Sequence, residues 1–446
     1  MPHLGLESAI PLCLYLCTLT VVLLSIFWRP IAGLYFLVPL IPLQTIRYRL
    51  NDLPLGASFV YIILAAVAIG LIIHREDGEQ GTPWTLLLAV YGCFTFISLC
   101  LGSLYLSFPM PWELADRRFP DWADYMTMPL LLVLVAAAVR NLNQVKILVV
   151  LIGISALLVD KSFWNAVSGH DFSTFSDDLR DGGTLGYAGS NGLATLQAQL
   201  CTLFVALAVT AGRRSWKLVC FGAAFCSALC LVYSLSRGGY LACIAGLLFV
   251  AVVRARVLLV PAAVFALTWA TVVPPAVVSR VQMTYDQNGE LDHSSETRVT
   301  LWEDALELVE SNPLLGTGLD TYRYMKRVGE YEDTHNIYMK ILVETGAVGL
   351  LFFLWILGKA VFHGLRLAHS GVDPLLQGLG LGLAGWAICA AVACTFGDRW
   401  TYFQVQGWFW VIAGLVARGA TFNSALETSA EEPSETAAEL GQEVTT

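Results

Sequence analysis

Apolar runs of about 20 residues recur along almost the whole chain and constrain its fold more than any other feature. A helix of roughly 20 apolar residues crosses the ~30 Å hydrocarbon core of a bilayer. The runs are continuous rather than alternating, which excludes the pattern of a membrane β-barrel. Of the 446 residues, 56% are hydrophobic and 14% are charged. We therefore predict an all-α, polytopic transmembrane helical bundle.

The runs predict about 12 to 13 membrane spans, because several are short and their ends are uncertain by roughly 2 to 4 residues. They are 8–28, 31–45, 57–73, 84–107, 126–139, 145–159, 190–211, 216–234, 238–253, 256–276, 337–358, 375–396 and 403–417. A polar segment, 277–335, interrupts them. We expect it to form one large loop that contains short helices.

Short loops rich in Lys and Arg indicate the orientation of the chain, because such loops stay in the cytoplasm. These loops are 140–146, 213–217, 254–256 and 359–369, and they alternate as one face. The opposite face, with the loop 277–335, is therefore predicted to lie in the periplasm. The expected location is the bacterial inner membrane.

Three parts are predicted along the chain. Residues 1–189 hold N-terminal transmembrane helices and an acidic outer loop at 160–189, whereas residues 190–417 form a transmembrane core. Residues 418–446 form an acidic tail that has no Lys or Arg from Asn423 onward, and it is predicted to be disordered in the cytoplasm. The tail accounts for much of the net charge of −9. That charge therefore indicates nothing about the substrate.

Cysteine usage predicts neither a metal centre nor a disulfide framework. Nearly all of the 11 cysteines lie in apolar runs and resemble small buried hydrophobes. No Cys/His spacing typical of a metal site occurs, and no Asp-x-Asp motif lies at a membrane surface. We expect no cofactor, no metal and no nucleic-acid partner; the bilayer is the expected surroundings.

The outer turn Ser236-Arg237-Gly238-Gly239 is the first candidate binding element. Glycine permits positive φ and a close approach of ligand to backbone, and a guanidinium beside it suits a pyrophosphate or a sugar phosphate. The alternative is an arginine at a helix end that extends to the membrane surface without binding anything.

The large loop contains a second candidate, an amphipathic helix from Arg298 to Glu310 that is expected to end before Pro313. Val299, Trp302, Ala305, Leu306 and Val309 are expected to share its apolar face. Arg298 is predicted to lie at the helix N-terminus, where a cation is disfavoured, so it is a candidate for anion binding. Arg280, at the start of the same loop, is another candidate for anion binding. The alternative is a helix that lies on the bilayer without chemistry.

His335 is the third candidate, at the point where the polar loop ends and an apolar segment begins. The unperturbed pKa of an imidazole is near neutrality, which suits a general base. Tyr331, Glu332, Asp333 and Asn336 are the neighbours that could orient it. The alternative is a solvated surface histidine.

Together these elements resemble the O-antigen ligase and polymerase family over about residues 190–417. The resemblance rests on Ser-Arg-Gly-Gly at 236–239, on Arg298-x3-Trp302 followed by Pro313-Leu314-Leu315-Gly316-Thr317-Gly318, and on His335-Asn336-x-Tyr338 continuing through Glu344-Thr345-Gly346 and Gly349-Leu350. It implies a transferase that moves a glycan from undecaprenyl diphosphate to an acceptor hydroxyl on a lipid, protein or glycan.

The resemblance also implies roles for residues in an inverting, metal-independent reaction. Arg237 and Arg298 would clamp the diphosphate, with Arg280 and Arg399 as further candidates, and His335 would act as the base. The supporting residues would be Ser236, Gly238, Gly239, Trp302, Asn336, Tyr338 and Glu344. A ligase is the leading interpretation, a polymerase of the same family is the second, and a secondary transporter is the alternative from another class.

Overall fold

The computed structural model describes residues 6–75, 82–113, 118–283, 293–329 and 331–443, and helices account for the regular structure in these ranges. The all-α prediction is thereby confirmed. The α-helices are α1 Leu6–Phe27, α2 Ile31–Leu40, α3 Gln44–Tyr48, α4 Phe59–Ile73, α5 Thr85–Leu106, α6 Arg118–Ala138, α7 Leu142–Val167, α8 Gly189–Thr210, α9 Arg214–Tyr233, α10 Arg237–Val253, α11 Leu259–Val272, α12 Pro275–Gln282, α13 His293–Ser311, α14 Tyr322–Met325, α15 Ile337–Ser370, α16 Pro374–Ala393 and α17 Phe403–Glu443.

Nine helices in the described part of the chain are long and apolar enough to cross a membrane. A tenth span results if α11 and α12, which are bent by 104° at their junction, count together. This number is lower than the predicted 12 to 13, although every predicted apolar run contains a helix. The reason is length and polarity: α2 has 10 residues and α10 has 17, while α17 begins with a polar turn that includes Gln404 and Gln406.

Hydrogen bonds bring the loops rich in Arg and His together at one end of the bundle. The Arg140 guanidinium donates to the carbonyl of His74 at 3.0 Å, and Arg418 donates to the carbonyl of Val139 at 2.9 Å. Arg254 donates to the side chain of Gln377 at 3.0 Å. We name this end, marked by Arg140, Arg254 and Arg418, the basic end. The opposite end, which carries the segment between α11 and α15, is the loop end.

Helix α8 lies at the centre of the bundle. Of the most apolar window in residues 183–210, 94% is buried. Small residues let its neighbours approach closely: a Cβ at Gly246 of α10 would lie 2.6 Å from the Thr202 hydroxyl of α8. In contrast, α11 has no buried residue. Helix α10 is therefore held firmly on its α8 side, while a gap remains between α10 and α11.

Helix α15 is broken at Gly346, which has φ 65° and ψ −167°. The loop 313–318 fills the break with four backbone hydrogen bonds of 2.8 to 3.2 Å: Thr317 N–H to Val343 O, Gly318 N–H to Glu344 O, Ala347 N–H to Pro313 O and Val348 N–H to Leu314 O. We name the segments 313–318 and 343–348 the clasp. The clasp gives the glycine-containing motifs at 313–318 and 344–346 a structural role, because it joins the large loop to α15, the helix that follows it.

The last helix continues to Glu443, through residues for which the composition predicts a disordered tail. Ala and Glu are strong helix formers, which is the physical reason for helix in this segment. The side chains up to Ser424 are described, and residues 444–446 lie outside the described ranges.

The clasp predicts that Gly346→Ala destabilises the protein. A Cβ at this position would lie 2.3 Å from the backbone carbon of Leu314, and a non-glycine residue with this φ and ψ costs about 1–3 kcal/mol by itself. Thermal unfolding in detergent should show a clearly lower midpoint. Gly358→Ala, in the same helix with no atom within 4 Å of the added Cβ, is the matched control and should leave the midpoint unchanged or raise it. Equal midpoints for the two variants would contradict the clasp.

Candidate functional site

A cavity of about 1140 Å³ extends from the loop end along the gap between α10 and α11. We name it the arginine cavity, because its described lining contains five arginines and no Asp or Glu: Arg180, Arg237, Arg280, Arg298 and Arg399. Below the arginines the lining is apolar, with Leu247, Leu248, Phe265, Ala266 and Trp269 among its residues. The four arginines predicted as phosphate ligands therefore line one cavity, although they come from segments far apart in the chain.

Ser236 and Asn191 fix the turn that presents Arg237. The Ser236 hydroxyl donates to the side-chain oxygen of Asn191 at 2.8 Å. The Arg180 guanidinium donates to the same oxygen at 2.8 Å. Arg180 and Asn191 were not predicted as site residues. The sequence shows only that Arg180 belongs to the acidic outer loop and that Asn191 follows this loop. It does not show which residues they hydrogen-bond.

The two glycines of this turn do not have the predicted conformation. Gly238 and Gly239 lie within the first turn of α10, and neither has positive φ. A Cβ at Gly239 would lie 2.6 Å from the Ala194 side chain, and a Cβ at Gly238 would lie 3.1 Å from the Phe396 ring. Both glycines allow close packing of protein against protein. The expected positive φ is therefore wrong, whereas contact of these glycines with a ligand stays a prediction, since both line the arginine cavity.

Arg280 reaches the same cavity from α12. The N–H of Ala276 donates to the carbonyl of Phe172 at 3.1 Å, which holds α12 against the outer loop 168–182. The Arg280 guanidinium then lies over the Phe175 ring, 4.5 Å from its centroid. Stacking of this kind favours arginine over lysine, because the guanidinium is planar and weakly hydrated.

Helix α13 presents Arg298 and Trp302 at the loop end. Its described part begins at His293, so Arg298 lies in the second turn; the prediction that it occupies the N-terminus is wrong, and the dipole argument for it fails. The buried stripe is Leu301, Ala305 and Leu308, while Val299 and Leu306 are exposed. The predicted apolar face was thus displaced around the helix, because the sequence does not show which side meets α15.

Trp302 joins α13 to the turn that holds His335. Its indole N–H donates to the carbonyl of Thr334 at 3.1 Å, and the Thr334 hydroxyl donates to the carbonyl of Asn336 at 2.8 Å. Trp302 therefore positions the residue before His335. His335 itself adopts φ 51°, a conformation uncommon outside glycine.

The imidazole of His335 lies beside a carboxylate and is influenced by two arginines of the arginine cavity. Its Nδ1 is 3.7 Å from an oxygen of Asp333, and its side chain is 41% exposed. Burial lowers the pKa of His335 below its ordinary value; Asp333 opposes this shift, and the charges of Arg298 and Arg399 add to it. At neutral pH the imidazole is therefore unprotonated and can accept a proton.

Three of the predicted supporting residues make hydrogen bonds within the protein: Asn336, Tyr338 and Glu344. The Asn336 side chain caps α15 by accepting from the N–H groups of Tyr338 and Met339. The Tyr338 hydroxyl donates to the carbonyl of Ala391 at 2.8 Å, and a carboxylate oxygen of Glu344 accepts from the N–H of Tyr322 at 3.4 Å. These contacts align α15 with α16 and with the large loop.

A second cavity, of about 560 Å³, is lined by Asp333, the carboxylate beside His335; His335 itself lines neither cavity. We name it the acidic cavity. Its described lining has seven residues with carboxyl groups, Asp121, Asp124, Asp320, Glu332, Asp333, Glu344 and Asp398, and three cations, Arg47, Arg323 and Lys340. Aromatic residues form much of the rest, among them Tyr61, Trp122, Tyr125, Tyr187 and Tyr402.

Asp398 orders the loop that carries Arg399. Its carboxylate accepts from Lys340 at 3.0 Å, from the N–H groups of Trp400 and Thr401 at 3.1 and 3.0 Å, and from the Thr401 hydroxyl at 2.7 Å. Burial opposes ionisation, but Lys340 and the Thr401 donors hold the pKa of Asp398 below its ordinary value. Asp398 and Arg399 thus line different cavities from adjacent positions.

Fold and site define a polytopic helical membrane protein with a cationic and an acidic cavity and a histidine that is close to charged residues of both. Residues 222–354 match the family model described as O-antigen ligase. This segment contains all of the recognised motifs, and the match confirms the resemblance to the O-antigen ligase family. No curated protein matches the chain. Among the described residues no group of His, Cys, Asp and Glu has the arrangement of a metal site.

The surroundings of His335 predict its titration. Its midpoint, followed by NMR of the imidazole and assigned by its loss in His335→Gln, should fall below 6.5. Arg399→Gln should raise the midpoint, because it removes a cation that disfavours protonation. Asp333→Asn should lower it, because it removes the favourable carboxylate. A midpoint above 6.5, or shifts of the opposite sign, would contradict this arrangement.

The Lys340–Asp398 pair predicts a large cost when one partner is removed. The Asp398 side chain is 4% exposed, so Lys340→Met leaves a buried charge without its cation and should destabilise the protein by about 3–5 kcal/mol. Lys340→Met with Asp398→Asn should recover part of this loss. Arg327 pairs with Asp304 and Glu307, and its own side chain is 36% exposed. Arg327→Met should therefore lower the free energy of unfolding by about 1 kcal/mol or less. Unfolding midpoints in detergent measure all three variants.

Proposed function

We propose that the protein is an O-antigen ligase-type glycosyltransferase that moves a glycan from undecaprenyl diphosphate, or a similar polyprenyl diphosphate, to an acceptor hydroxyl. The observation that supports this most is the arginine cavity, which combines five arginines with an apolar channel between α10 and α11. A lipid diphosphate has the same two parts, a dianionic head and a long hydrocarbon tail.

The cavity suits the head group through charge and the tail through its walls. Guanidinium groups stay ionised and bind phosphate oxygens in a bidentate manner. The described lining contributes no carboxylate to repel the diphosphate. Leu247, Leu248, Phe265 and Trp269 offer apolar surface toward the basic end. Because α11 has no buried residue, the tail can enter sideways from the bilayer.

In the proposed reaction the acceptor oxygen attacks the anomeric carbon. The bond from that carbon to the diphosphate oxygen breaks, and its electron pair leaves with the diphosphate. Arg237 and Arg298, aided by Arg180, Arg280 and Arg399, stabilise the charge that develops there. His335 accepts the proton of the acceptor hydroxyl, for which its lowered pKa keeps it unprotonated. A single displacement inverts the anomeric configuration and uses no cofactor or metal.

The basic end supports an orientation with Arg140, Arg254 and Arg418 in the cytoplasm, because Lys and Arg in short loops are retained there. Both cavities then open at the periplasmic face of the bacterial inner membrane. This is where a lipid-linked glycan meets an acceptor on a lipid, protein or second glycan.

His335→Ala and Arg237→Ala should each reduce transfer from a purified polyprenyl-diphosphate-linked glycan by at least about 100-fold while the protein remains folded. Arg254→Ala, an exposed arginine at the basic end, is the control and should transfer normally. Product length separates the two reactions: one conjugate of unchanged glycan length is the expected ligase product, and a ladder of carrier-linked chains would instead identify a polymerase. Normal transfer by His335→Ala would overturn the catalytic assignment.

A further inference from the structure

The acidic cavity carries the opposite charge to the arginine cavity. Its described lining has seven carboxyl groups against three cations, so it is formally negative. Burial raises the pKa of Asp320 to about 6, which still leaves this carboxyl mostly ionised at pH 7. Glu332 is exposed at the edge of the cavity, and Asp333 lies between the cavity and the imidazole of His335.

Two of the three cations of this cavity, Arg323 and Lys340, are engaged by its own carboxylates. Arg323 pairs with Asp320 at 2.8 Å and also with Asp121. Lys340 pairs with Asp398 at 3.0 Å. A phosphate group could use Arg323 and Lys340 only by displacing the carboxylates that hold them. The third cation, Arg47, lies over the Phe403 ring, 5.0 Å from its centroid, and its Nε has no hydrogen-bond partner among the described residues. The two cavities therefore differ in formal charge: the described lining of one holds five arginines and no carboxyl group, and that of the other holds seven carboxyl groups against three cations.

Aromatic rings and a buried amide indicate that the acidic cavity receives a sugar. Tyr187 lies 6.5 Å from Tyr48 and 5.5 Å from Tyr402, measured between ring centroids. Such rings offer flat apolar faces with polar edges, which suit the C–H and O–H groups of a pyranose. Within the described residues the Oε1 of Gln404, a side chain 1% exposed that lines the cavity, has no hydrogen-bond partner. A buried acceptor without a donor is suited to a ligand hydroxyl or amine.

We propose that the acceptor enters through the acidic cavity and that its acceptor end consists of neutral or amino sugars without phosphate or carboxylate groups. This inference rests on the proposed function, since it assigns the second substrate of the same site. A positively charged amino group would gain from the carboxylates, whereas a phosphate monoester would be repelled by them. The negative charge of the acidic cavity thus also disfavours binding of a second diphosphate head there.

The test compares two acceptors that differ by one group: a short amino-hexose oligosaccharide and the same oligosaccharide with a phosphate monoester. Transfer from a polyprenyl-diphosphate-linked disaccharide by the full-length protein in nanodiscs should favour the unphosphorylated acceptor by about tenfold in kcat/KM at low salt, and less at high salt. Glu332→Lys, which reverses a charge at the edge of the cavity, should reduce this preference several-fold. Glu310→Lys, the same change at an exposed position of α13 outside both cavities, should leave it unaltered.

Equal use of the two acceptors, or an unchanged preference in Glu332→Lys, would overturn the inference and leave the proposed function standing. Calorimetric measurement of the binding of the same two oligosaccharides shows whether the proposed function fails while the inference stands. If the protein transfers to neither but binds the unphosphorylated one more tightly, and Glu332→Lys weakens that difference, the proposed function fails and the charge selection stands. If it neither transfers to nor binds either oligosaccharide, both are overturned.

Discussion

The clasp between the loop 313–318 and the broken helix α15 is the interaction on which the site depends. A helix interrupted at Gly346 leaves backbone N–H and C=O groups without helical partners, and such groups are costly when buried. The loop 313–318 supplies those partners through its own backbone. This end of the large loop is therefore fixed against α15. From this anchor α13 packs against α15 through Ala305, Leu308 and Val343, and Trp302 reaches the turn of His335. The proposed base and Arg298 thus belong to one rigid unit.

Charge is arranged on two sides of this unit. Five arginines line one cavity and seven carboxyl groups line the other, and the adjacent residues Asp398 and Arg399 belong to different sides. Charges of both signs act on the imidazole of His335. Burial, Arg298 and Arg399 disfavour its protonation, whereas Asp333 favours it. The imidazole is therefore kept neutral mainly by burial, and Arg298 and Arg399 add to this effect against Asp333. In the proposed reaction the same arrangement keeps the leaving diphosphate and the acceptor on separate sides of the base.

Much of the fold follows from local chemistry and was predictable. Continuous apolar runs predict helices because the bilayer leaves no other way to satisfy the backbone, and each run contains a helix. The end of α13 before Pro313 was likewise predicted correctly. The number of spans and the buried face of α13 were not, since the first depends on exact helix ends and the second on the partner helix. The positive φ expected of Gly238 and Gly239 was wrong for the same reason: the atoms that leave no room for a side chain there belong to Phe396 and Ala194, which are remote in sequence.

The sequence by itself determined the class of the protein, the basic and polar ends of its helices, and the residue types of a cationic site with a histidine, because hydropathy, charge and motif order are properties of the chain as written. Only the tertiary structure decided that Arg180 and Asn191 join the turn of Arg237, that Glu344 and Gly346 serve the clasp, and that Asp398 and Arg399 line two cavities of different charge. Each of these depends on contacts between segments tens to hundreds of residues apart. Such contacts are selected by packing and by the satisfaction of buried polar groups in three dimensions, which no local pattern encodes.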